Sequence, residues 1–362
     1  MGAILDYLNT LCQVFGRGWN RFWFTPSDPF ALAPVRIGAG LIAFYLVATL
    51  TPDLETFFGR NGLVPLESLK SIEQQVREGN LRSFLPPTIR ETLPRPYRFS
   101  YLDYLPDHTG LWAAHIAGLV VLALFTAGCF TRVTSILSLI VFLSYVHRGP
   151  MLTAQVEPVL AFVMLYLCLG PAGRSISIDA CLAARRPKEP ATSPRKSSSM
   201  PGRTTAMSQF PASVSATVSI RLIQVHLTLV YAMMGIGKLA GEVWWNGLGM
   251  WWLIARPEMR VVDWTWLAAY PKLIAAWTHF QVAFELAFAL LVWNRTARPL
   301  LLALSVVVWL LLAPVTGLVT FSLMMLVANL AFFSPSWTRS VLSRRANSVS
   351  HVDQPIQVAG AA

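Results

Sequence analysis

The sequence predicts an all-α integral membrane protein, a helical bundle of about eight transmembrane helices preceded by an N-terminal interfacial helix, and three observations predict it. Hydrophobic residues make up 54% of the chain and charged residues 13%, where a soluble domain has about a quarter of its residues charged. The apolar residues are gathered in runs close to the roughly 20 that carry a helix across a bilayer. Lys and Arg, the source of a formal net charge of +11, collect between those runs. There they orient a membrane protein, so the basic balance does not point to nucleic acid.

Within residues 1–24, Leu5, Leu8, Leu11, Val14, Phe15 and Trp19 recur at helical spacing with Arg17 and Arg21 between them. This is the pattern of an amphipathic helix lying in the membrane interface. It lacks the charged start, apolar middle and small-residue cleavage site of a signal peptide. The transmembrane domain is expected over 25–337, with spans at 31–50, 110–130, 132–146, 157–173, 216–239, 271–293, 299–315 and 318–333, of which 132–146 is short. The segment 185–213 is rich in Pro, Ser, Thr and basic residues, and is expected to be a disordered cytoplasmic linker between two groups of spans. A polar segment, 338–362, reads as a disordered cytoplasmic tail.

Orientation follows from the basic residues. Arg174, Arg185, Arg186, Lys188, Arg195, Lys196 and Arg203 face only Asp179 and Glu189 in the segment 174–203, which predicts a cytoplasmic loop. Alternation through eight spans then puts Arg17, Arg21, Arg132, Arg295, Arg298, Arg339, Arg344 and Arg345 on the same side, with both termini cytoplasmic. The loop 51–109 carries mixed charge and is expected outside, since long loops cross largely regardless of charge.

Several functional classes have no support in the sequence. Cys12, Cys129, Cys168 and Cys181 show neither CxxC nor metal-ligand spacing, so no metal site is expected. The chain has no phosphate-binding glycine loop, no GxSxG and no HExxH. It also shows no internal repeat of the kind that marks many transporters.

The residues that call for explanation are polar groups within apolar spans, because an ionisable side chain in hydrocarbon is costly and marks a functional site by default. In 219–239, Gln224, Thr228, Tyr231, Gly235 and Lys238 fall near one helical stripe. Lys238 is the residue to explain: it either marks a functional site or snorkels into the headgroups from the end of its helix. On the sixth span Gln281 and Glu285 lie four residues apart, with Thr278 and His279 earlier, and Arg36, Arg221 and Lys238 are the cations available to Glu285. Glu285 either belongs to a ligand pocket or forms a buried ion pair that fixes helix packing. His115 and His226 sit singly on apolar spans and read as packing residues, and Trp244, Trp245, Trp251 and Trp252 read as an interfacial belt.

Four blocks, RFWFTPSDPFALAPVR (21–36), FTAGCFTR (125–132), VYAMMGIGKLAGEVWW (230–245) and the segment 321–337 ending FFSPSW, occur in an order and spacing that resemble the HTTM domain. This is the transmembrane part of vitamin K-dependent gamma-glutamyl carboxylase and its bacterial relatives. The resemblance implies a multi-pass protein of the bacterial inner membrane, with reduced vitamin K or menaquinol as cofactor. It also implies that Lys238, in the motif running from Tyr231 to Lys238-Leu239, is the base that starts hydroquinone oxygenation. A buried lysine favours its neutral amine, which makes that role chemically reasonable. Gln224, Tyr231, Arg36, Arg221, Glu285 and His279 are then the expected cofactor-binding residues. The chain departs from the carboxylase at Thr153 and Trp309, where the enzyme has histidines, and His279 matches a third only with a one-residue offset. No counterpart of the enzyme's large luminal domain is expected after Trp337.

Two functions of different class remain open on this reading. One is a carboxylase-like redox enzyme acting on a quinol through Lys238, with Tyr231 and Gln224 orienting and Glu285 and Arg36 shaping charge. The other is a non-catalytic membrane protein that binds a lipid or a quinone, or assists maturation or export of a peptide or protein partner.

Overall fold

The computed structural model describes residues 2–59, 62–63, 65–77, 99–105, 107–185, 211–257 and 261–333. The expected linker over 186–210 and the expected tail lie outside the described residues. Among the described residues the helices are α1 (Gly2–Phe24), α2 (Leu32–Ala48), α3 (Leu54–Phe58), α4 (Leu66–Arg77), α5 (His108–Ala127), α6 (Thr131–Arg148), α7 (Val156–Leu169), α8 (Ile178–Arg185), α9 (Val214–Leu239), α10 (Glu242–Trp245), α11 (Gly249–Ile254), α12 (Pro271–Leu291), α13 (Arg298–Thr316) and α14 (Val319–Asn329). No strand forms among them; one isolated bridge pairs Ser27 with Ser213.

Each of the eight apolar segments contains a helix, but five helical stretches are long and apolar enough to cross a membrane: Pro29–Ala48, His108–Ala127, Val214–Leu239, Pro271–Leu291 and Arg298–Thr316. Two further apolar stretches, Val156–Leu169 and Val319–Phe332, are shorter. The α6 helix is long enough but too polar, and its residue placement explains why. Thr131, Thr134, Ser135, Ser138 and Ser144 are buried against the bundle, while Val133, Ile136, Leu137 and Ile140 are exposed on the outer face. Such an inside-out distribution suits a helix whose outer solvent is lipid, and averaging over the whole helix hides it.

Local chemistry sets the helix ends. The α9 helix begins where the Ser213 hydroxyl accepts from the Ala216 amide, satisfying one of the four orphan donors of its first turn. The α5 helix stops at Gly128, whose φ of 77° lets its amide turn back to Leu124 and Phe125. At that position only glycine takes the left-handed conformation without a Cβ penalty. Pro271 and Pro299 open α12 and α13 in the first turn, where a missing amide proton is harmless.

Packing is most extensive between α9 and α12 and between α2 and α5. Gly235 makes the first contact close: a Cβ there would meet the Leu286 side chain at 2.8 Å. This approach brings the last turns of α9 against the middle of α12, where Lys238 and Glu285 lie.

Candidate functional site

Lys238 sits in the last turn of α9, and its Nζ donates to both carboxylate oxygens of Glu285 on α12, at 2.6 and 2.7 Å. Gln281, one turn before Glu285 on the same face, donates its Nε2 to Oε1 at 2.8 Å. Glu285 is fully buried, while the lysine side chain is 16% exposed. The ammonium also lies 5.1 Å from the centroid of the Trp244 ring, within the range of a cation–π contact.

The exposed part of Lys238 faces a cavity of about 210 Å³. Lys238, Glu285 and Gln281 line it together with the polar residues Gln155, Thr316 and Ser322, and Met234, Trp309 and Phe321 contribute apolar surface. Two buried polar atoms on cavity-lining residues have no hydrogen-bond partner, Oε1 of Gln281 and Oγ of Ser322. A buried polar atom without a partner is uncommon because each one costs about 1–3 kcal/mol. Both residues line the cavity, which is thus bordered by polar side chains beside the ion pair as well as by apolar surface.

The other candidate residues lie elsewhere. Tyr231 is fully buried two turns deeper in α9; its hydroxyl accepts from Trp309 Nε1 at 2.7 Å and from Asn329 Nδ2 at 3.2 Å, and its ring stacks on Phe288 at 3.9 Å. Gln224 and Arg221 belong to the other end of the helix, with Gln224 about 21 Å along the axis from Lys238. Arg221 donates to Gln224 Oε1 at 2.9 Å, and Gln224 Nε2 donates to the Ala331 carbonyl at 2.7 Å. Neither orients the lysine.

Arg36 corrects a further expectation, since it shapes no charge in the Lys238 cavity. It is fully buried, and its guanidinium donates to the carbonyls of Ala172 and Ile176, both at 2.7 Å. It thus clamps the chain after α7. Of the cations available to Glu285, Lys238 alone bonds to it, because α12 packs on the last turns of α9 while Arg36 is held by the turn before α8. His279 lies beside the site without entering it, with its ring nitrogens near the carbonyls of Ala275 at 2.8 Å and Trp245 at 3.2 Å.

Asp179, outside the spans, holds the same end of the bundle as Arg36. It accepts from the Phe130 and Thr131 amides, both at 2.8 Å, and from the Thr131 hydroxyl at 2.6 Å. Burial alone would raise its pKa, but these hydrogen bonds and the nearby Arg36 outweigh burial and hold the carboxyl below its ordinary value. Among the described residues no group of His, Cys, Asp and Glu could hold a metal ion.

Ser322 and Asn329 were not among the expected site residues. Each is an isolated polar residue in an apolar run, the signal that singled out Glu285, but without a charge to draw attention. Comparison with protein families, with characterised proteins and with solved structures finds no match for this chain.

Proposed function

We propose that the chain is an eight-span membrane protein of HTTM type that binds the head group of a reduced quinone in the Lys238 cavity and takes a proton from it. The observation that carries this reading is that Gln281 and Ser322, each with an unpartnered polar atom, line a largely apolar cavity against the Lys238–Glu285 pair. A hydroquinone has an apolar ring with a hydroxyl at each end, and so suits an apolar space with separate polar contacts. The volume is below the roughly 300–1,000 Å³ of pockets that enclose whole drug-sized ligands, which suits a head group whose tail remains in lipid.

Proton transfer needs a free amine. As an ammonium hydrogen-bonded to both oxygens of Glu285, Lys238 has no lone pair to offer, so its proton first moves onto the carboxylate. The neutral amine then accepts the hydroquinone proton: the O–H bond breaks, an N–H bond forms, and the electron pair stays on the quinolate oxygen. In the enzyme the chain resembles, dioxygen is the oxidant that consumes this anion. Purified protein in lipid should therefore oxidise reduced vitamin K or menaquinol under oxygen, and Lys238→Ala should abolish turnover. Arginine keeps the positive charge but does not release its proton in the working range, so Lys238→Arg should be equally inactive. No wild-type turnover above that of empty lipid would defeat the enzymatic reading for these quinols.

One observation favours a second, non-catalytic reading. Glu285 receives hydrogen bonds from Lys238 and Gln281 at both oxygens, as in an ion pair that locks α9 to α12. On that reading Lys238→Arg retains whatever ligand binding and stability the wild type has.

The eight-span topology places the Lys238 end outside and the segment 174–203 inside, supported by the basic residues of that segment. A reporter fused within Ser197–Ser199 should be cytoplasmic and one near Gly62 external. Finding both on one side would overturn the topology.

A further inference from the structure

At the end of the bundle away from Lys238, a second and larger recess of about 810 Å³ opens between α1, α9 and the start of α13. Four arginines line it, Arg21 from α1, Arg221 from α9, Arg295 from the turn before α13 and Arg298 from its first position, and no Asp or Glu does. Among the described residues none of the four forms an ion pair.

Arg221 is held in a fixed pose. Its guanidinium carbon lies 4.4 Å over the Phe22 ring and 5.9 Å from that of Trp293, and its bond to Gln224 is backed by the carbonyl of Ala331. Arg298 is anchored through Nε to the Val292 carbonyl at 3.0 Å. Like charges gathered without a counter-charge repel one another, and guanidinium groups offer donors in forks that match phosphate oxygens. The recess also lies beside α1, where Leu8, Leu11, Val14, Phe15 and Trp19 are exposed, the apolar face by which such a helix lies in a membrane interface.

From this juxtaposition we propose that the recess binds the phosphate headgroup of an anionic phospholipid, with Arg221 and Arg298 as fixed contacts and Arg21 and Arg295 closing from the rim. A lipid fits better than a soluble phosphate because the wall continues into partly exposed apolar residues, Phe22, Trp293 and Phe333, on which an acyl chain can lie. The proposal is independent of any role for Lys238.

The test is thermal unfolding of the full-length protein in detergent, titrated with phosphatidylglycerol, with phosphatidylcholine of the same acyl chains, or with inorganic phosphate. Phosphatidylglycerol should raise the melting temperature saturably, and the other two should not. Arg21 and Arg295 are exposed, so Arg21→Gln/Arg295→Gln should fold normally yet lose affinity by roughly fivefold per arginine, the increment for a basic residue near an anionic surface. Arg221→Lys, which keeps the charge and loses the fork and the ring stacking, should also bind more weakly, while Arg132→Gln should match wild type. Equal stabilisation by phosphatidylcholine, equal stabilisation by inorganic phosphate, or unchanged affinity in the double variant would each overturn the proposal.

Discussion

Lys238 and Glu285, 47 positions apart, meet with their charged groups 2.6 Å apart, one partner fully buried and the other open to a cavity. The contact joins α9 and α12, one of the two most extensively packed helix pairs, so its loss should register in stability as well as in chemistry.

Removing one partner of this pair leaves an uncompensated buried charge, at a cost of about 3–5 kcal/mol. Lys238→Ala, which strands the fully buried carboxylate, should therefore lower the melting temperature in detergent strongly, and Glu285→Ala should do so less, because the ammonium it leaves behind is open to the cavity. Lys238→Met/Glu285→Leu, which removes both charges, should recover most of the loss. A double variant as unstable as the sum of the singles would mean that the two side chains are not coupled.

The Tyr231 hydroxyl, on a fully buried side chain, accepts from Trp309 and Asn329. Tyr231→Phe would leave those donors short of an acceptor in the buried core, for about 1–3 kcal/mol. Tyr231→Phe/Trp309→Phe removes one orphaned donor and should be less unstable than the two single losses combined. Tyr231 makes no hydrogen bond to Lys238, so the expected readout of both variants is stability, measured as the melting temperature in detergent.

Gly128→Ala should destabilise the end of the bundle that holds Arg36. At φ of 77° a Cβ would lie 2.5 Å from the Ser177 Cβ and 2.7 Å from Nη1 of Arg36, and the left-handed conformation itself costs a non-glycine residue about 1–2 kcal/mol. Faster hydrogen exchange at residues 172–179, with little change near Lys238, is the expected result. A uniform change across the protein would refute the local assignment.

The pH dependence of stability should carry a signature of Asp179. Its folded pKa lies below the ordinary value, so its contribution is present above the unfolded pKa of about 3.9 and is lost as pH falls through the lower folded value. Asp179→Asn should therefore melt below wild type at neutral pH, and the gap should close only on acidification below about pH 4. A gap that persists unchanged into strong acid would assign the loss to altered hydrogen-bond geometry instead of charge.

What the sequence by itself determined is the helical class, the place of each apolar segment and the identity of the polar residues that need partners. Those properties are local: run length, 3.6-residue spacing and the penalty for burying charge are all carried by contiguous residues. The α6 helix marks the limit of that logic, because its mean composition conceals buried serines and threonines behind an apolar outer face. Only the tertiary structure decided that Glu285 bonds to Lys238 while Arg36 binds the carbonyls of Ala172 and Ile176. It also brought Ser322 to the cavity of Lys238, and separated Gln224 and Arg221 from that cavity into a basic recess. Three cations looked equivalent to one carboxylate in the chain, and the choice among them depends on which turns of which helices approach closely. That approach is set by small residues such as Gly235 opposite Leu286, a long-range relation with no local periodicity to reveal it.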